Sequence, residues 1–99
     1  MTITKTLEGS ALTIALDGRL DTQTSPELEK VLESSLSSVE SLKYDFTGLE
    51  YISSAGLRVL LSSQRQMNRR NGKMVVSNVN SNIMDVFQVT GFEDILTIE

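Results

Sequence analysis

Ninety-nine residues are enough for one domain with a single modest core, and 39% hydrophobic against 22% charged residues is an ordinary globular balance. The chain has no cysteine and no histidine, which excludes disulfides and thiolate chemistry and removes the commonest general base and metal ligand. A net charge of −4 with only 2 tyrosines and 3 phenylalanines speaks against a nucleic-acid surface.

No apolar run approaches the roughly 20 residues of a membrane span, and MTITKTLEGS lacks the basic-then-apolar build of a secretory signal. Direct membrane insertion is therefore not expected, and a cytoplasmic location is. The charge is unevenly spread: the acids concentrate in the first half, whereas Arg58, Arg65, Arg69 and Arg70 cluster in the second.

Ile3 to Leu7 is a strand candidate closed by a turn at Glu8-Gly9-Ser10. Leu12, Ile14 and Leu16 alternate with Thr13, Ala15 and Asp17, a strand with one buried face, and Asp17-Gly18 signals a turn or bulge. A helix follows in SPELEKVLESSL, capped by Ser25 with Pro26 at its first position, or started one residue earlier by a Thr24–Glu27 capping box. Leu28, Val31, Leu32 and Leu36 form its apolar stripe. SSLSSVES reads as a fraying end and a solvated connection.

SLKYDF, Ser41 to Phe46, is the next strand, and TGLEY bends the chain away from it. A long helix carries Leu57, Leu60, Leu61 and Met67 on one stripe and stops at Asn71-Gly72. KMVVSNV is a buried-strand run, and Asn80 or Ser81 caps a shorter helix ending near Gly91. Ile95, Leu96 and Ile98 suggest a last strand. The order ββαβαβαβ predicts one α/β domain over residues 1–99, with a largely parallel sheet of about five strands and one antiparallel hairpin.

Few residues offer chemistry. A nucleophilic serine would need a lysine or carboxylate to activate it, and Gly-x-Ser-x-Gly, Ser-x-x-Lys and a glycine-rich phosphate loop are all missing. The acids are scattered in ones and twos. The chain is expected not to be an enzyme and to carry no cofactor or metal.

One stretch stands out. Ser53-Ser54-Ala55-Gly56 places four small residues where a strand gives way to a helix. A cap explains one serine, worth about 1 kcal/mol. A helix N-terminus also offers free N–H donors and about half a positive charge, so a hydroxyl there accommodates an added phosphate. The residues alone leave cap and switch both standing.

RLDTQTSPELEKVL, YDFTGLEYISSAGLRVLL, NGKMVVSNV and VFQVTGFEDIL together resemble, in that order, the STAS family of anti-sigma factor antagonists. The resemblance spans nearly the whole chain and implies helices packed largely on one side of the sheet. It also implies a regulatory binding module rather than an enzyme. In switching members the unmodified domain binds an anti-sigma factor that is a serine kinase. Phosphorylation of a serine at the start of the second long helix releases it, and a serine phosphatase reverses the step.

The family's site reads Asp-Ser-Ser/Thr-Gly-Leu. Laid on this chain, the acid falls on Ser53, the acceptor on Ser54, and Ala55, Gly56 and Leu57 follow. Asp21 matches the acid of the loop after the second strand. The resemblance thus implies Ser54 as phosphosite, with Asp21, Thr22, Ser53, Ala55, Gly56 and Arg58 at the partner surface. Gly56 is expected to admit the partner's backbone. STAS-like domains also serve as non-switching subunits of membrane-transport assemblies, which is the alternative reading.

Overall fold

The computed structural model describes all 99 residues. Thr2–Glu8 (β1) and Ala11–Leu20 (β2) form the expected antiparallel hairpin, with Glu8 opposite Ala11. Ser41–Ile52 (β3) then pairs with β2 in parallel, and Lys73–Ser77 (β4) pairs with β3 in parallel. The sheet order is β1-β2-β3-β4, with Ser25–Ser35 (α1) connecting β2 to β3 and Ser54–Arg69 (α2) connecting β3 to β4. Ser81–Thr90 (α3) follows β4.

The sheet has four strands rather than about five. In the Ile95–Ile98 segment only Ile98 forms a bridge, to Val76, through backbone bonds from Val76 N–H to Thr97 and from Glu99 N–H to Val76. A 3-10 turn at Phe92–Asp94 instead delivers Leu96 into the core, where it is buried, and leaves Ile95 exposed. The apolar pattern there marks a plug for the core, not a full strand.

Alternation explains how the sheet meets the helices. Leu12, Ile14 and Leu16 of β2, Leu42, Tyr44 and Phe46 of β3, and Met74 and Val76 of β4 are all buried. Between them Thr13 and Ala15 are half-buried and Lys43 is exposed, so one face is covered and the other is open. Leu28 and Leu32 of α1, Leu57, Leu60 and Met67 of α2, and Ile83 and Phe87 of α3 complete a single apolar cluster. No helix is long and apolar enough to cross a membrane.

β3 does not bend away at TGLEY. It continues to Ile52 and absorbs the mismatch in two bulges against β2, so that Ala15 faces Asp45, Asp17 faces Gly48 and Arg19 faces Tyr51. Gly18 is likewise a strand residue at φ +107°, a backbone setting that suits glycine within this irregular register. The solvated connection expected at SSLSSVES is only partly solvated. Leu36 and Val39 are buried there, and the Arg70 guanidinium donates hydrogen bonds to both of their carbonyls.

The helix ends follow local rules with one revision. Asn71, at φ 55°, takes the left-handed position after α2, and Gly72 N–H returns to the Met67 carbonyl at 2.8 Å, as in a Schellman stop. The Asn80 side chain caps α3 by accepting from Ile83 N–H at 2.9 Å. At α1 the N-cap position falls on Thr24, the earlier of the two expected starts, but neither expected side-chain cap forms. Ser25 lies inside the helix with its hydroxyl buried and unpartnered, and Thr24 makes no side-chain bond onto the helix.

Candidate functional site

The reason lies in the loop between β2 and α1. The Asp21 carboxylate accepts the N–H groups of Gln23 and Thr24, both at 3.0 Å, while the Thr24 hydroxyl accepts Asp21 N–H at 2.9 Å. This is the reciprocal logic of a capping box, moved three residues upstream of the predicted one. The Thr24 hydroxyl also donates to the Arg19 carbonyl at 2.7 Å, which anchors the turn to the end of β2. The N–H of Thr24, helped by its hydroxyl and by Gln23 N–H, holds the Asp21 carboxyl below its ordinary value of 3.8, with Arg19 contributing. Asp21 stays half-buried and charged, and Thr22 is exposed at the tip of the turn.

This loop lies beside the start of α2 because β2 and β3 run parallel and end in register. Leu20 faces Ile52, and Ser53 N–H donates to the Leu20 carbonyl at 2.9 Å. The C-terminal ends of two neighbouring parallel strands thus present Asp21–Thr24 and Ser53–Gly56 together.

Within the four small residues the roles separate. Ser53 is extended (φ −100°, ψ 177°) and is the N-cap of α2, its hydroxyl accepting Gly56 N–H at 3.5 Å. Ser54 is the first helical residue and its side chain is exposed; Ala55 is half-buried. Gly56 is buried, contrary to the expectation that it would admit a partner's backbone. A Cβ there would lie 2.8 Å from Leu20 Cγ and 2.8 Å from Ile52 Cγ1. Its missing side chain lets α2 settle on the chain's own sheet.

Arg58 is exposed one turn beyond Ser54. It borders a groove of about 290 Å³ between α1 and α2, with Glu29 and Glu33 on the opposite wall. Two residues join this surface that sequence reading did not single out. The Arg19 guanidinium carbon sits 4.1 Å from the centre of the Tyr51 ring, and Arg19 Nε lies 3.8 Å from an Asp21 oxygen. Tyr51 is partly exposed. The only signal for this pairing is the strand register, which two bulges displace from a simple count.

The arrangement offers an accessible hydroxyl at a helix N-terminus, flanked by a rigid turn and a cation–aromatic pair. It brings together no group of three acids able to hold a metal ion. A β-hairpin extended into a parallel sheet, covered by helices on one side, thus carries this hydroxyl at its rim. The chain belongs to the STAS domain family: the model described as "Mlab, STAS domain" matches residues 3–97.

Relatives point the same way. BtrV of Bordetella bronchiseptica, named "Putative anti-sigma factor antagonist BtrV", is 31% identical over 88 residues, covering 88% of this chain and 76% of its own. The fold is shared with SpoIIAA, solved in unphosphorylated and phosphorylated forms. The TM-scores are 0.80 and 0.79 at 18% identity, covering 99% of this chain and 87% and 91% of the two SpoIIAA chains. A Thermotoga maritima protein described as a "putative anti-sigma factor antagonist" shares the fold with a TM-score of 0.90 at 13% identity, covering 97% of this chain and 84% of the other.

Proposed function

We propose that this protein is an anti-sigma factor antagonist that works by partner switching. The surface formed by Asp21, Thr22, Ser53, Ala55 and Arg58, extended by Arg19 and Tyr51, docks on an anti-sigma factor that is a serine kinase. The kinase transfers the γ-phosphoryl group of ATP to Ser54 Oγ; the hydroxyl proton is lost and ADP leaves. The added charge of about −1.5 to −2 expels the docked partner, and a serine phosphatase restores the hydroxyl by hydrolysis.

The observation that carries this reading is the exposure of Ser54 at the first position of α2, next to the Asp21 turn. A phosphate there meets free N–H groups and the positive helix end, so the domain tolerates it. The neighbouring Ser53 hydroxyl is turned onto Gly56 N–H as a cap, which favours Ser54 as the acceptor. The names of the relatives support an anti-sigma factor as the partner.

The test pairs this chain with each purified serine-kinase anti-sigma factor of its source organism, with and without ATP, followed by phosphosite mapping. Ser54→Ala abolishes phosphate uptake and keeps binding, whereas Ser54→Asp weakens binding. Phosphate on Ser53 shifts the acceptor by one residue; no phosphate on either serine ends the switch reading. The presence of Ser53 where the family carries an acid keeps one rival in view, a fixed STAS subunit of a membrane-transport assembly. That reading expects a stable complex with a transporter component, unchanged by ATP.

A further inference from the structure

Four arginines of the second half part company in the structure. Arg70 is held against the Leu36 and Val39 carbonyls and serves the fold. Arg58, Arg65 and Arg69 are exposed, and none has a carboxylate within ion-pair distance; the two ion pairs of the molecule are Arg19–Asp21 and Lys43–Glu99. The three line one continuous depression on α2 with Leu61, Ser62 and Gln66.

Their spacing aligns them with Ser54. Residues 54, 58, 61, 65 and 69 recur at intervals of four, three, four and four, which is one face of an α-helix. At about 1.5 Å per residue the three cations lie roughly 6 to 22 Å along the helix axis from Ser54, and the stripe stays on one side. Half-buried Leu61 supplies an apolar contact in its middle. A chain of net charge −4 thus carries an unneutralised cationic ridge that begins at the hydroxyl proposed as its switch.

We infer that this ridge is the long arm of the docking surface and that it receives an acidic helix or strand of the partner protein. The inference rests on the partner-switching reading and specifies its chemistry. Arginine forks take up carboxylates two bonds at a time, which fixes register along the ridge. Phosphate on Ser54 then opposes the head of an acidic segment seated by Arg58, Arg65 and Arg69, so charge rather than shape drives release. A flat anionic membrane fits less well, because a planar surface laid over Arg58 also meets Glu29 and Glu33 across the α1–α2 groove, whereas a narrow segment running along Arg58, Arg65 and Arg69 keeps to a depression that no acid lines. The same acids flank the ridge against a nucleic-acid backbone.

The test uses the serine-kinase anti-sigma factor that binds the wild-type chain, titrated against Arg65→Glu/Arg69→Glu and against Arg65→Lys/Arg69→Lys. Both pairs are exposed and remote from Ser54, and circular dichroism confirms folding. Charge reversal lowers the association rate at least about tenfold and flattens its dependence on salt, while the lysine pair loses much less. Reversing acidic residues on the partner restores binding to the glutamate variant. Equal binding by wild type and the glutamate variant overturns the ridge while leaving the switch intact. Failure of every kinase to bind wild type sinks both. Stronger attachment of the wild-type chain to phosphatidylglycerol vesicles or duplex DNA than to the kinase also overturns the inference.

Discussion

Gly56 of α2 rides directly over Leu20 of β2, so close that a methyl group would stand 2.8 Å from Leu20 Cγ. Both that atom and Ile52 Cγ1 belong to buried side chains of the single core, so neither can swing aside. Gly56→Ala gains about 1 kcal/mol of helix propensity but forces overpacking that costs about 1–3 kcal/mol. The expected net loss is up to about 2 kcal/mol, a fall of up to about ten degrees in Tm on thermal denaturation. Because the helix start would be pushed outward, kinase binding by the variant should weaken as well.

Ser53 and Ser54 are adjacent yet should respond differently to alanine. Removing the Ser53 hydroxyl leaves Gly56 N–H without its cap and costs about 0.5–1 kcal/mol, at the low end because the bond is 3.5 Å long. Ser54→Ala removes an exposed hydroxyl and should stay within about 0.5 kcal/mol of the parent. Urea midpoints of the two single variants check this. A larger loss at Ser54 than at Ser53 would reverse the assigned roles.

Acid should destabilise the protein through two carboxylates, Asp21 in the turn after β2 and Asp45 on β3. Asp21 is held below the ordinary carboxylate value by Thr24 and Gln23, and Asp45 by the Thr47 hydroxyl, the Asn78 amide and Thr47 N–H. A carboxyl whose folded pKa is depressed adds stability that is present above its unfolded pKa and disappears as pH falls through the folded one. Stability should therefore hold from neutrality to about pH 5 and decline below about pH 4. Asp21→Asn and Asp45→Asn should each lower the urea midpoint at neutral pH and flatten its fall in acid.

Inside the core the Tyr44 hydroxyl lies 2.7 Å from Ser63 Oγ, and Ser63 in turn donates to the Val59 carbonyl at 2.9 Å. With the serine hydrogen committed to Val59, tyrosine is the donor to serine. Tyr44→Phe leaves Ser63 still bonded and should cost about 1 kcal/mol. Ser63→Ala strands a buried phenol donor and should cost more, about 1–3 kcal/mol. Burial pushes the Tyr44 pKa well up, so the unfolded chain loses this proton first and stability should fall as pH rises above about 10. Phenylalanine at position 44 should blunt that alkaline loss. Chemical denaturation at neutral and alkaline pH measures both effects.

Much of the molecule is decided by neighbours along the chain. Leu12, Ile14 and Leu16 alternate and are all buried, and the helical stripes through Leu28 and through Leu57, Leu60 and Met67 point to the core; Leu61, expected on the same stripe, instead lies half-buried among the arginines on the outer face of α2. Asn80 caps and Asn71 stops a helix through bonds reaching only a few residues, so residue type at one position suffices to place them. The order of elements and the serine at the head of α2 were legible for the same reason.

Strand register was not, because it is a property of two segments roughly thirty residues apart. Two bulges between β2 and β3 set Arg19 over Tyr51 and carried TGLEY on as strand, and neither residue's local pattern contains that choice. Gly56 showed only that space was needed; the fold assigned the space to Leu20 and Ile52. Ile95, Leu96 and Ile98 had the composition of a strand, yet the core wanted one leucine more than the sheet wanted a fifth row. Local hydrogen bonds and periodicity live in the sequence, whereas which side chain fills a given gap depends on everything that surrounds it.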